Sequence, residues 1–306
     1  MTLSAQAYQA AKQYIQDHAR PLDQARFRFH LEGGPADDVW EALAAFQNED
    51  GGFGHGIEPD VQTPASSVLG TSIALQILRE TSAPMSHSLV KEAVRYLVSQ
   101  YDAEHKCWPM LAPASQDSPH APWWEGYEQL PQRFGDFLVN PRVEILGYLL
   151  DYGLLVPPAI LEQVVPEVSA GVRNWPDDVE MHDLLCYVRL AETKRLPHNI
   201  QEELIPKLRE SIQSKVGSSP EEWAKYSLKP TMVVRSPDSP FAESVASLLD
   251  DNFAFELSQQ QEDGSWQPSW SWGDFYPETW PKAKLAWAGK LTVEQLMLFH
   301  NFGKME

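Results

Sequence analysis

Apolar residues along this chain recur at helical spacing, and alternating strand patterns are scarce. Val68, Leu69, Ile73, Leu75, Ile77 and Leu78, set among Ala, Ser, Gly and Thr, predict a helix over 65–79 that can be buried around most of its circumference. Thr63 and Pro64 stand where a cap and a first-turn proline belong. Asn140-Pro141 opens a second such segment, through Ile145, Leu146, Tyr148, Leu149 and Leu150 to Gly153, which reads as a left-handed stop. A third follows the candidate caps Asp177 and Asp178 and carries Met181, Leu184, Leu185, Tyr187, Val188 and Leu190. Ser219-Pro220-Glu221-Glu222 has the form of a capping box, and Ser239-Pro240 opens a helix through Val245, Leu248, Leu249, Phe253 and Leu257.

Half-polar helices alternate with these apolar ones, over about 85–100, 158–171, 200–214 and 292–302, and the segment 4–19 begins the series. Such alternation is what an inner buried layer and an outer half-wet layer produce. The expectation is an all-α fold of ten to twelve helices, an α/α toroid of five or six hairpins forming a single domain over residues 1–306. Two stretches break the rhythm. The first, about 102–137, holds Pro109, Pro113, Pro119, Pro122 and Pro131 with Trp108, Trp123 and Trp124; the second, about 264–281, holds Trp266, Trp270, Trp272, Tyr276 and Trp280. Their length points to function and their rings argue against disorder, so both are expected to fold over one end of the barrel.

A short motif recurs. Gln47-Asn48-Glu49-Asp50-Gly51-Gly52-Phe53-Gly54 returns as Gln261-Glu262-Asp263-Gly264-Ser265-Trp266, with a looser copy from Tyr96 through Gln100 to Trp108. The three glutamines are 53 and 161 residues apart, and the second interval is close to three times the first. A period of this size implies stacked supersecondary units.

Composition narrows the function classes. The net charge of −19 would repel nucleic acid and anionic membranes, and no basic run offsets it. No segment has the length and apolarity of a membrane span, and the N-terminus lacks the basic start and apolar stretch of a secretory signal. Cys107 and Cys186 are too few to staple the chain and read as reduced thiols of a cytoplasmic protein. Nucleotide-binding glycine loops and the Gly-x-Ser-x-Gly elbow are absent.

The Gln…Gly-x-Trp/Phe arrangement resembles the repeat of squalene–hopene and oxidosqualene cyclases, whose superfamily includes the β subunits of protein prenyltransferases. The resemblance extends over most of the chain as a pattern, with sharp motifs at 40–76 and 253–287. It implies a toroid with an isoprenoid-binding central cavity. Gly51 to Asp60 is similar to the prenyltransferase segment in which Gly-Ser-Phe leads into Gly-Glu-x-Asp-Thr-Arg, so Glu58 and Asp60 fall on its acids. Val61-Gln62 replaces Thr-Arg, no counterpart of the zinc ligands stands near Cys107 or Cys186, and the cyclase Asp-x-Asp-Asp is missing.

The strongest polar cluster is therefore His55, Glu58 and Asp60, with a catalytic acid or base at the barrel mouth or, on the plainer reading, with Glu58 and Asp60 as caps of the helix starting near Pro64. No metal or other cofactor is expected from the spacing of these groups. Trp123, Trp124, Trp270, Trp272 and Tyr276 are candidate substrate-binding rings, through stacking or stabilisation of positive charge, or else lid anchors. Glu125, Tyr127 and Asp136 could join the first group, and His182 could face the cavity. Three functions stay open: an isoprenoid-handling, cyclase- or prenyltransferase-like protein taking an apolar small molecule; a carbohydrate-active hydrolase or lyase with paired carboxylates; and a non-catalytic toroid that binds a ligand or protein partner.

Overall fold

The computed structural model describes residues 1–306 and is all-helical, with five isolated bridges and no strand. Its helices in chain order are α1 (Ala5–His18), α2 (Pro21–Glu32), α3 (Ala36–Ala44), α4 (Val68–Glu80), α5 (Ser88–Ser99), α6 (Leu130–Arg133), α7 (Arg142–Asp151), α8 (Pro158–Arg173), α9 (Met181–Ala191), α10 (His198–Lys215), α11 (Pro220–Trp223), α12 (Pro230–Val233), α13 (Ala246–Ser258) and α14 (Trp280–Asn301). Eleven of these have nine residues or more, and α6, α11 and α12 are single turns. No helix is long and apolar enough to cross a membrane. The chain forms two compact units, Met1–Ala42 with Ile212–Glu306, and Leu43–Ser211.

In the second unit α7 packs against both α4 and α9, α5 packs on α4, and α8 packs on α7. Every residue of α7 from Arg142 to Leu149 is buried. On α4 the small residues Gly70, Thr71, Ser72 and Ala74 are buried beside Val68, Leu75, Ile77 and Leu78, which is why this helix reads as apolar nearly all round. Its cap is Ser67, whose Oγ accepts from the Gly70 N–H at 2.9 Å. The helix thus begins later than Thr63-Pro64 suggested, because Thr63 Oγ1 instead accepts from Ala65 N at 3.2 Å within a turn.

In the first unit α14 packs against α1 and α2, and α13 against α11 and α12. Leu3, Ile15, Phe27, Phe253, Trp266 and Phe299 belong to its core, where full burial of each side chain contributes about 1.5–3 kcal/mol. The two termini meet within it: Leu3 N donates to Lys304 O at 2.8 Å and Glu306 N to Leu3 O at 3.1 Å. Helix α14 starts well before the 292–302 segment that periodicity marked, since Pro281 lies in its first turn. Helix α2 was not marked at all, although Pro21 at its start and Gly33 at its end (φ 70°) carry a standard start and stop signal.

Several expected caps move. Glu180, not Asp177 or Asp178, caps α9 by accepting from His182 N and Asp183 N. Gly153 opens a short 3₁₀ turn, Gly153–Leu155, without a left-handed φ. Ser239-Pro240 leads into a 3₁₀ turn, Ala242–Val245, before α13 begins.

The recurring motif is built twice to one plan, with Gln260 rather than Gln261 in the role of Gln47. Gln47 Nε2 donates to Gly51 O at 3.0 Å and to Leu89 O at 3.5 Å. Gln260 Nε2 donates to Gly264 O and to Ala7 O, both at 3.0 Å. Asp50 and Asp263 accept from Gly52 N and Ser265 N at 2.9 Å. Phe53 N then donates to Thr71 Oγ1 of α4, and Trp266 N to Thr292 Oγ1 of α14, at 3.1 and 3.0 Å. Helix α1 thus serves the second copy as α5 serves the first. Gln100 belongs elsewhere: its amide donates to Ser99 Oγ at 3.2 Å, as that of Gln259 does to Ser258 Oγ at 3.0 Å. Three consecutive glutamines at 259–261 hid the register from the sequence.

Candidate functional site

The turn that follows the first motif copy is stitched by its own side chains. Asp50 Oδ1 accepts from Ser66 Oγ at 2.7 Å, and Asn48 Nδ2 donates to Pro64 O at 3.0 Å and to Ser66 Oγ at 2.9 Å. Asn48 Oδ1 faces His55 Nε2 at 2.8 Å, which holds His55 exposed on a left-handed backbone (φ 54°). The space left by the glycines is taken up by the protein. A Cβ on Gly52 would meet Ser66 Cβ at 2.6 Å, and one on Gly54 would meet Pro64 O at 2.5 Å. These glycines therefore serve close packing of the turn.

Asp60 lies at the far end of this turn, 4% exposed, with Glu58 half-buried before it. Neither acts as the cap of α4, since Ser67 does. Asp60 O accepts from Ala121 N, and Pro119 O from Gln62 N, both at 2.9 Å, around the antiparallel bridge between Val61 and His120. This short ladder brings the acidic turn and the first aromatic loop together, joining two groups of candidates that lie about sixty residues apart in sequence.

The ladder also exposes a residue that sequence reading passed over. His120 is 1% exposed; its Nδ1 lies 2.7 Å from Ser118 O and its Nε2 lies 2.8 Å from Glu125 Oε2. A carbonyl only accepts, so Nδ1 carries hydrogen, and Nε2 lies within hydrogen-bonding distance of the Glu125 carboxyl. Glu125 itself is exposed. Gln116 clamps the backbone on either side of it, donating to Trp124 O at 2.9 Å and accepting from Gly126 N at 2.8 Å. Arg133 Nη1 adds bonds to Trp123 O at 2.6 Å and Glu125 O at 3.0 Å. A histidine five residues before a glutamate, in a proline-punctuated aromatic loop, was the available signal. Trp124, 7% exposed, stacks on Phe134 at 4.9 Å; Trp123 is half-buried, as is Tyr127, and Asp136 is exposed.

The other candidates are held by other elements. Trp270, Trp272 and Tyr276 belong to the first unit: Trp270 packs edge-on against Trp287 at 4.9 Å, Trp272 pairs with Trp280 at 5.5 Å, and Tyr276 is 37% exposed. His182 sits in the first turn of α9, its Nδ1 2.8 Å from the cap Glu180. Its neighbour Asp183 is pushed up to about 6, by burial first and then by Glu180. No group of three or more His, Cys, Asp and Glu side chains is placed to hold a metal ion.

A second buried polar centre was not anticipated. Glu144 of α7 is 4% exposed and gathers side chains from three helices. Its Oε1 accepts from Gln76 at 2.6 Å, from Ser72 at 3.2 Å and from the Tyr148 hydroxyl; its Oε2 meets Arg189 Nη1 at 2.8 Å and Cys186 Sγ at 3.6 Å. Burial, then Glu144, drives the Tyr148 hydroxyl and the Cys186 thiol well above their ordinary values. Burial opposes the Arg189 charge, but Glu144 together with Cys186, Tyr148 and Glu192 outweighs it and holds the guanidinium protonated. With its oxygens filled by protein donors, this carboxylate fastens α4, α7 and α9 together. Cys107 and Cys186 are free, buried thiols.

No protein-family model matches this chain, and no curated protein is significantly similar to it.

Proposed function

We propose that the chain is an α/α toroid that takes an isoprenoid or similarly apolar small molecule, with Asp60 as the acid of its site. The hairpins would be α2–α3, α4–α5, α7–α8, α9–α10, α12–α13 and α14–α1, the last completed by the N-terminal helix. Support comes from the serial packing of α4, α7 and α9 with α5 and α8 laid on them, and from α14 packing against both α1 and α2. The two equivalent motif copies add to it.

The observation that carries the functional reading is the ladder at Val61 and His120. It fixes a buried carboxyl, Asp60, against a loop carrying Trp123, Trp124, Phe134 and Phe137. A carboxyl beside aromatic faces can serve as a proton donor, and those faces stabilise positive charge developing on a hydrocarbon. Mass spectrometry of solvent extracts from the purified protein tests the reading. A prenyl lipid released from wild type, and processed by wild type but not by Asp60→Asn, is the expected result; a bound oligosaccharide with no lipid would sink it.

One observation favours the carbohydrate reading. Tyr226, Phe275 and Tyr276 of the first unit expose 60%, 39% and 37% of their surface, as sugar-stacking rings do. Oligosaccharide binding abolished by Phe275→Ala with Tyr276→Ala would support it.

A further inference from the structure

Six of the eleven indole N–H groups of this protein fall into two sets. Those of Trp108, Trp175, Trp223 and Trp266 each donate to a protein oxygen: Leu97 O at 2.7 Å, Ser211 Oγ at 2.9 Å, Gly217 O at 2.6 Å and Glu256 O at 2.8 Å. The buried Nε1 atoms of Trp124 and Trp270 have no partner in the protein, and each belongs to one of the two long aromatic loops. An indole N–H can only donate, and leaving it buried and unmatched costs about 1–3 kcal/mol. At Trp124 the anomaly is compounded. Ser115, 0% exposed in the same loop, has an unpartnered hydroxyl as well. The next residue, Gln116, clamps the peptide units on both sides of Glu125.

The charges around this loop restrict what could satisfy those groups. Asp60 and Glu58 lie across the ladder, and Asp117, Glu125, Glu128 and Asp136 lie on the loop itself. Of the loop's cations, Arg133 is engaged through Nη1 by the Trp123 and Glu125 carbonyls, and Lys106 is paired with Glu167. Held there among carboxylates in a chain of net charge −19, an anionic head group would be repelled.

Building on the reading of this turn and loop as the site, we infer that the loop binds a neutral, hydroxyl-bearing ligand and discriminates against phosphorylated forms of the same molecule. The ligand oxygen accepts from Trp124 Nε1, and its O–H donates to Glu125, which His120 holds in place. The stacked rings of Trp124, Phe134 and Phe137 supply the apolar surface for the rest of the ligand. For an isoprenoid this means the free alcohol and not the diphosphate.

The test uses the full chain labelled with ¹⁵N at its tryptophan indoles, with the Trp124 resonance assigned by its loss in Trp124→Phe. Geraniol is expected to move that resonance downfield, and geranyl diphosphate at equal concentration to leave it in place. Glu125→Gln should weaken geraniol binding about tenfold, as loss of a charge-assisted hydrogen bond does. A shift with the diphosphate that equals or exceeds the alcohol's would overturn the inference and leave the isoprenoid reading standing. A shift with cellobiose but not geraniol would support the hydroxyl site and overturn the isoprenoid reading. A resonance that none of the three moves would overturn the inference on the wild-type protein, independently of how any variant folds.

Discussion

Glu144 on α7 and Arg189 on α9 meet at 2.8 Å, the Glu144 side chain 5% exposed and that of Arg189 32% exposed. Removing the cation would leave a buried carboxylate without its strongest partner, a loss of the kind that costs about 3–5 kcal/mol. Arg189→Ala should therefore lower stability by about 3 kcal/mol in urea unfolding. Arg189→Lys, which keeps a charge near the carboxylate, should cost less than half as much; equal losses would show that the guanidinium acts by packing alone.

The two turn glycines can be tested against a third. Gly51 and Gly264 have φ of 89° and 88°, and an added Cβ would meet Glu92 O and Ala10 O, each at 2.5 Å. Gly33 has φ 70° with nothing within 4 Å. Alanine at Gly33 should cost about 1 kcal/mol, the backbone penalty alone, whereas Gly51→Ala and Gly264→Ala should each cost at least twice that. Thermal melts of the three variants distinguish steric exclusion from backbone strain.

Asp183 makes stability depend on pH with a stated sign. Its folded value near 6 lies above the ordinary 3.8, because burial and then Glu180 disfavour the charge. The folded state thus holds the proton more tightly than the unfolded one. The associated stability is fully present below about pH 4 and is lost as pH rises through about 6. Asp183→Asn should remove that loss and exceed wild type by about 2 kcal/mol at pH 8, with the gap closing toward pH 4. A gap that does not change between those pH values would place the proton elsewhere.

Helix α1 supplies the Ala7 carbonyl that Gln260 binds and the Ala10 backbone against which Gly264 packs. Deleting residues 1–19 should therefore red-shift Trp266 fluorescence, since this 3% exposed ring loses its cover. A synthetic peptide of residues 1–19 added in trans should restore the emission. An unchanged spectrum in the truncated chain would show that the second motif copy stands without α1.

Most of the helices could be read from the sequence, as could the two irregular aromatic loops and the fact of a repeated motif. Burial on a helix imposes a period that one segment carries by itself, so Val68 to Leu78 or Ile145 to Leu150 announces itself without knowledge of any neighbour. The turn around Asp50 and Gly51 is equally local, because its bonds close within a few residues. Other features were decided only in three dimensions. Gln260 could be told from Gln261 only by which amide reaches Ala7, and the cap of α4 only by which hydroxyl reaches Gly70. His120 was brought against the Asp60 turn by a two-bond ladder with no pattern of its own, and Glu144 gathered Ser72, Gln76, Cys186 and Arg189 from helices remote in sequence. Periodicity records how one element meets its surroundings; the pairing of polar groups depends on which elements meet, and that is settled by packing.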